Sequence, residues 1–107
     1  MTALPPIYSQ YEHELSMRER VETFVAGLGE QIDELQDAEL SGDFAAIHRA
    51  AENLVAGAKL AGYPGLLKVA ERVIASSDTA DPDEAQKGII ELTELAQRVR
   101  RGSRGAA

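Results

Sequence analysis

Residues 43 to 62 have the sequence D-F-A-A-I-H-R-A-A-E-N-L-V-A-G-A-K-L-A-G, and this stretch decides the fold class. Asp43 is a favourable helix N-cap, because its carboxylate accepts a hydrogen bond from an otherwise free backbone amide. Apolar residues then recur at spacings of three and four, and Gly62 suits the left-handed conformation in which many helices end. The stretch therefore predicts an amphipathic helix with a buried stripe of Phe44, Ile47, Ala51, Leu54, Ala58 and Ala61.

Three further helices are predicted around this one. Residues 16 to 19, S-M-R-E, match the capping box and predict the start of a long helix that ends at Ser41-Gly42. Pro64 suits the first turn of the next helix, and Asp81-Pro82 suits the start of the last one. The apolar positions of these helices are Val21, Phe24, Val25, Leu28, Ile32 and Leu35; Leu66, Leu67, Val69, Ala70, Val73 and Ile74; and Ile89, Ile90, Leu92, Leu95, Ala96 and Val99.

Short connections between long amphipathic helices make sequential neighbours antiparallel. The sequence therefore predicts an all-α fold, an up-and-down antiparallel four-helix bundle formed by residues 16 to 101 of a single domain, 1 to 107. Residues 1 to 15 are expected to form a cap segment with a short helix between residues 5 and 15. Residues 102 to 107 are expected to be a frayed tail.

Composition excludes several classes of function. The chain carries 18 acidic and 11 basic residues, a formal charge of −7, which disfavours binding to nucleic acid or to an anionic membrane surface. It has no cysteine, and it has no signal sequence or apolar run long enough to cross a bilayer. We therefore expect a soluble, cytoplasmic protein that has a protein partner and no cofactor.

No metal site is expected either. A carboxylate-bridged metal centre in a bundle needs Glu-x-x-His pairs on facing helices, and the sequence contains none. His13 has no acid, base or ligand partner in its pattern, and the acidic residues of the first long helix have the spacing of a solvated face. Arg98, Arg100, Arg101 and Arg104 suit the C-terminal end of the last helix, where cations complement the helix dipole.

The segment 51 to 62, A-E-N-L-V-A-G-A-K-L-A-G, resembles the A-H-x-L-K-G-x-x-x-x-x-G run of histidine-containing phosphotransfer (HPt) domains. Further similarity lies in P-I-Y at residues 6 to 8, in Phe24-Val25 of the first long helix, in Gly42-Asp43, and in G-Y-P at residues 62 to 64. The resemblance covers roughly residues 5 to 76. It implies the four-helix bundle that the helical pattern predicts independently.

In that family the second bundle helix presents an exposed histidine, which accepts a phosphoryl group from the aspartate of a receiver domain. Here Glu52 occupies the histidine position, Val55 the position of a phosphate-pairing lysine, and Ala56 that of a glycine. A carboxylate repels the incoming phosphoryl group and lacks the neutral nitrogen lone pair that attacks phosphorus. The resemblance therefore implies a scaffold without the phosphotransfer chemistry.

These residues lead to a hypothesis of a non-enzymatic pseudo-HPt module that binds a receiver or histidine-kinase domain. The predicted docking residues are His48, Glu52, Val55, Ala56 and Lys59. Glu52 is either an ordinary solvated carboxylate or a mimic of phosphohistidine charge, and Val55 is either an exposed contact or a residue at the core edge.

Two alternative functions remain open. The first is an active phosphotransfer protein that uses His48, one helical turn before Glu52 on the same predicted exposed face. The carboxylate beside His48 and the distance of Lys59, 11 residues away or roughly 16 Å along the helix, argue against it. The second alternative is a self-associating helical bundle with no connection to a relay.

Overall fold

The computed structural model describes residues 4 to 105 and is helical over most of that range. A 3₁₀ turn, Leu15–Met17, precedes four helices: α1 (Arg18–Leu40), α2 (Phe44–Ala61), α3 (Pro64–Asp78) and α4 (Pro82–Gly105). Over residues 4 to 105 there is no β-strand. The prediction of an all-α fold with four helices is confirmed.

Each helix packs against the helices before and after it, and α4 closes the bundle against α1. The predicted apolar stripes meet inside, and the largest fully buried side chains are Leu28, Leu35, Ile47, Leu54, Leu66, Leu92, Val73 and Val99. Ile90 departs from the prediction, because it is 54% exposed although its neighbour Ile89 is buried. Among the described helices none is long and apolar enough to cross a membrane.

The structure confirms three predicted helix boundaries, which are the start of α2, the end of α2 and the start of α4. The Asp43 carboxylate accepts a hydrogen bond from the Ala46 amide at 3.1 Å, and the Asp81 carboxylate accepts one from the Glu84 amide at 3.1 Å. Gly62 has φ +81° and ψ +44°, and its amide donates to the last turn of α2. Local side-chain chemistry therefore sets these boundaries.

The predicted capping box at residues 16 to 19 is wrong. The chain enters α1 through the 3₁₀ turn, whose Met17 amide donates to the Glu14 carbonyl at 3.0 Å. Ser16 lies within that turn, and Met17 is the N-cap residue, with no side-chain hydrogen bond to the helix. The extra turn displaces the serine from the position at which its hydroxyl caps a helix.

The short helix predicted between residues 5 and 15 is absent from the structure. Residues 4 to 9 are irregular, and the amide of Ile7 donates to the carbonyl of Arg98 in α4 at 3.0 Å. The Arg98 side chain donates in return to the Pro5 carbonyl at 2.8 Å. Hydrogen bonds to α4 therefore replace the bonds that a local helix would make, and the segment covers one end of the bundle.

The tail predicted from residue 102 onward is also wrong for residues 102 to 105, which continue α4. Gly102 is buried, and a Cβ there would clash with the carbonyl oxygen of Ile7. Glycine thus lets the N-terminal segment lie directly on the last turns of α4, where packing holds the helix together. Residues 106 and 107 of the predicted tail lie outside the described residues.

Candidate functional site

The exposed face of α2 carries most of the residues predicted for docking. Ala51 and Leu54 face the core and are fully buried. Glu52, Ala56 and Lys59, on the other side of the same helix, are exposed. Glu52 has 59% of its side chain exposed. The Glu52 carboxylate therefore lies on the surface, where a partner protein has access to it.

Val55 belongs to the edge of the core. It is half-buried and packs against the hydrophobic cluster that fills the bundle. Of the two interpretations given to this residue by the sequence, the structure favours the core-edge valine. A partner can reach only part of this side chain, so Val55 is a poor centre for a docking surface.

His48 is held between two helices rather than standing free beside Glu52. Its Nε2 atom lies 2.8 Å from Oε1 of Glu52 on the next turn of α2, and its Nδ1 atom lies 2.8 Å from Oδ1 of Asp78 at the end of α3. The side chain is 34% exposed. The ring thus links α2 to α3, a contact that the spacing within α2 does not predict.

This arrangement limits what the imidazole does chemically. A neutral ring has one N–H donor and one acceptor, whereas the protonated ring donates from both nitrogens. Two carboxylates facing the two nitrogens match the doubly donating form. An attacking nitrogen needs a free lone pair, and a phosphoryl group arriving here meets the negative charges of Glu52 and Asp78.

A groove of about 630 Å³ runs between α1 and α2, beside the exposed α2 face. Leu60 lines it and is 63% exposed. Phe24 and Gly57 lie beside it, with Arg20 of α1 also in the lining. The groove is therefore a mixed surface in which apolar groups and one cation face solvent together.

One buried polar atom lies in this groove without a hydrogen-bond partner. Gln31 lines the groove, and its Oε1 is the buried side-chain atom that no donor in the described part of the chain reaches. A buried acceptor left unpaired is costly to stability.

Tyr63 closes the bundle at the turn between α2 and α3. Its ring stacks on Phe24 with centroids 5.6 Å apart, and it is almost completely buried. Burial raises the pKa of the Tyr63 hydroxyl, and the negative charge of Glu12 raises it further, because both disfavour the phenolate. The tyrosine therefore stays neutral and serves packing rather than acid–base chemistry at ordinary pH.

The remaining candidates do not assemble into a site. Within residues 4 to 105 no group of His, Asp and Glu side chains has an arrangement that could hold a metal ion. His13 is exposed and faces only Glu12, at 4.0 Å. Arg98 and Arg101 donate to the carbonyls of Pro5 and Leu4, so both contribute to anchoring the N-terminal segment.

No protein-family model, curated protein or solved structure matches this chain. The function of this chain is therefore inferred from the side chains described above. Two of these, Asp78 and Leu60, were missed by the sequence analysis although both carry a signal. Leu60 lies off the apolar stripe of α2, and Asp78 is an anion at a helix C-terminus, where the dipole disfavours it.

Proposed function

We propose that this chain is a pseudo-HPt module, which binds a receiver or histidine-kinase domain of a phosphorelay without accepting a phosphoryl group. The proposal combines the resemblance of residues 51 to 62 with the exposed position of Glu52. It assigns the chain to the non-enzymatic signalling proteins of the cytoplasm, in keeping with its lack of cysteine.

The observation that carries the docking role is the α1–α2 groove with exposed Leu60. The exposed leucine at the edge of this groove offers a partner a hydrophobic contact. Ala56 and Lys59 lie on α2 within one turn of Leu60, so the groove and the exposed α2 face are neighbouring surfaces. We define the docking face as Glu52, Ala56, Lys59, Leu60 and Gln31.

Active phosphotransfer through His48 has less support. Both ring nitrogens lie 2.8 Å from a carboxylate, and no lysine contacts the ring. Self-association is favoured by no specific contact. The exposed leucines Leu40 and Leu15 flank opposite ends of α1, a separation of roughly 35 Å at 1.5 Å per residue, so they do not form a common patch.

Calorimetric titration of the protein against a panel of receiver domains tests the docking role. We expect one or more receivers to bind, and Leu60→Asp to weaken binding at least tenfold, because it places a charge in an apolar contact. Leu40→Asp is the matched control, since Leu40 is also an exposed leucine, 84% accessible, but lies at the far end of α1. Equal losses from both variants, or no binding by any receiver or kinase domain, would remove the support for this function.

Ala56→Arg provides a second test on the same face. Ala56 is exposed, so the longer side chain should leave thermal stability nearly unchanged while blocking close approach of a partner. Asp37→Ala, on the exposed surface of α1, should leave the affinity as it is. Val55 is unsuitable for this purpose, because a charge there disturbs the core edge as well as the surface.

A further inference from the structure

Asp78 occupies an unfavourable position for a carboxylate. It is the last residue of α3, where the unpaired carbonyl groups of the helix concentrate partial negative charge. No lysine or arginine among the described residues forms an ion pair with it. Its one charged or polar side-chain partner is His48, whose Nδ1 lies 2.8 Å from Oδ1. The favourable contact that offsets the helix-end charge is therefore the one to the imidazole.

Among residues 4 to 105, the polar side chains within hydrogen-bond distance of the ring come from α2 and α3. Glu52 faces Nε2 from α2, and Asp78 faces Nδ1 from α3. The hydroxyl of Ser77 lies 3.5 Å from Nδ1, but it also lies 2.7 Å from the Ile74 carbonyl, to which it donates. The two carboxylates are therefore the groups that fix the orientation of the ring.

This chain of contacts has a consequence for Glu52. An exposed glutamate samples several side-chain rotamers, and a partner that binds it must immobilise them. Here Nε2 of His48 holds Oε1 of Glu52 at 2.8 Å, and the ring itself is held from the other side by Asp78. The carboxylate at the former phosphoacceptor position is thus ordered before any partner arrives.

We propose that Asp78 is a positioning residue for Glu52: through the His48 ring it fixes the Glu52 carboxylate on the docking face, so that a residue of α3 sets the affinity of a surface formed by α1 and α2. The effect on affinity rests on the proposed function. The ordering of Glu52 does not, because it is a property of the protein alone.

The first experiment measures that ordering without a partner. In isotope-labelled protein, the three-bond couplings of the Glu52 side chain should indicate one dominant χ1 rotamer, and Asp78→Ala should shift them to the averaged values of a free glutamate. Asp78→Asn retains an acceptor oxygen for Nδ1–H and should give intermediate couplings. Asp37→Ala should change nothing, since Asp37 makes no contact with the ring. Couplings that are averaged in the wild type, or unaltered in Asp78→Ala, overturn the proposal.

The second experiment measures affinity for the receiver that binds best. Asp78→Ala should weaken binding about two- to tenfold, the range expected for ordering one flexible side chain at an interface. In a Glu52→Ala background the same change should have no further effect, because Asp78 acts through Glu52. An equal loss in that background means that Asp78 contacts the partner directly, which overturns the proposal. If no receiver binds the wild type, the proposed function fails, and the couplings still decide whether Asp78 orders Glu52.

Discussion

The aromatic ring of Phe24 in α1 occupies the space that a side chain at Gly57 in α2 would need. A Cβ built on Gly57 would lie 2.8 Å from Cε1 and 2.9 Å from Cδ1 of that ring. The ring cannot turn away freely, because it is buried in the core and stacks on the ring of Tyr63. The glycine therefore allows α1 and α2 to approach each other beside the groove.

Gly57→Ala should destabilise the protein by about 1–2 kcal/mol. The gain in helix propensity, roughly 1 kcal/mol, is outweighed by overpacking against Phe24. Gly27→Ala is the matched control, since Gly27 also lies within a helix but a Cβ there meets no atom within 4 Å. It should stabilise by up to about 1 kcal/mol. Urea unfolding measures both, and the same sign for the two changes would contradict the packing argument.

Leu54→Ala should reduce the free energy of unfolding by about 2–5 kcal/mol, because Leu54 is completely buried and its loss leaves a cavity. Leu60→Ala, six residues along the same helix, should change stability by less than about 0.5 kcal/mol because the side chain is mostly in solvent. Thermal denaturation of the two variants compares them directly. A small loss at Leu54 would mean that the buried face of α2 is wrongly assigned.

Ala80→Gly should stabilise the protein by up to about 1 kcal/mol. Ala80 has φ +52° at the end of α3, a left-handed conformation that costs a residue with a Cβ roughly 1–2 kcal/mol. Part of the gain is lost, because glycine makes the unfolded chain more flexible. Ala75→Gly, at an exposed position within α3, should instead destabilise by about 1 kcal/mol. Chemical denaturation that ranks both variants below the wild type would refute the strain at Ala80.

Alkaline pH should destabilise the protein through Tyr63. The folded state raises the pKa of this hydroxyl, so below about pH 10 the tyrosine is neutral in both states and contributes no pH dependence. Above that pH the unfolded chain loses the proton first, and the free energy of unfolding falls as pH rises. Tyr63→Phe should have a shallower decline than the wild type in denaturation curves recorded from pH 8 to 11. Identical declines would exclude Tyr63 as the source.

Incubated with a phosphorylated receiver, the wild type should acquire no acid-labile, base-stable phosphoryl label. Glu52→His should restore labelling, because it places an imidazole at an exposed point of α2. Adding Val55→Lys should raise the transfer rate about tenfold if a lysine–phosphate hydrogen bond contributes about 1.5 kcal/mol. The lysine stem can retain much of the valine's apolar contact. Labelling of the wild type that His48→Ala abolishes would instead identify an active relay.

The helix boundaries that the sequence predicted correctly depend on neighbours in the chain. Asp43 and Asp81 cap amides three residues ahead, and Gly62 ends α2 through its own backbone angles. The apolar stripes follow from the same short-range periodicity. Ser16 is the exception. Its sequence matches the capping box, but a 3₁₀ turn forms at Leu15–Met17 and Ser16 does not cap α1. Capping hydrogen bonds and the left-handed glycine therefore set the helix ends that the sequence predicts correctly. The start of α1 is set instead by a competing 3₁₀ turn.

Other errors and omissions involve residues far apart in sequence. The amide of Ile7 finds its acceptor in Arg98, and the partner of His48 is 30 residues away in Asp78. No periodicity within one helix encodes such pairs. The exposure of Glu52 followed from the α2 pattern, whereas the ring that orders its carboxylate depends on how α2 and α3 are placed together.

The N-terminal segment has a consequence for the order of folding. Its hydrogen bond from Arg98 to Pro5 joins residues 93 apart, whereas the helices and their short connections form contacts between near neighbours. Closing a loop of that length costs more conformational entropy than forming a helical hairpin, so these contacts form after the bundle has assembled. The N-terminal segment, whose Ser9 hydroxyl donates to the Ala61 carbonyl, therefore covers the end of the bundle at Tyr63 after α1 to α4 have come together.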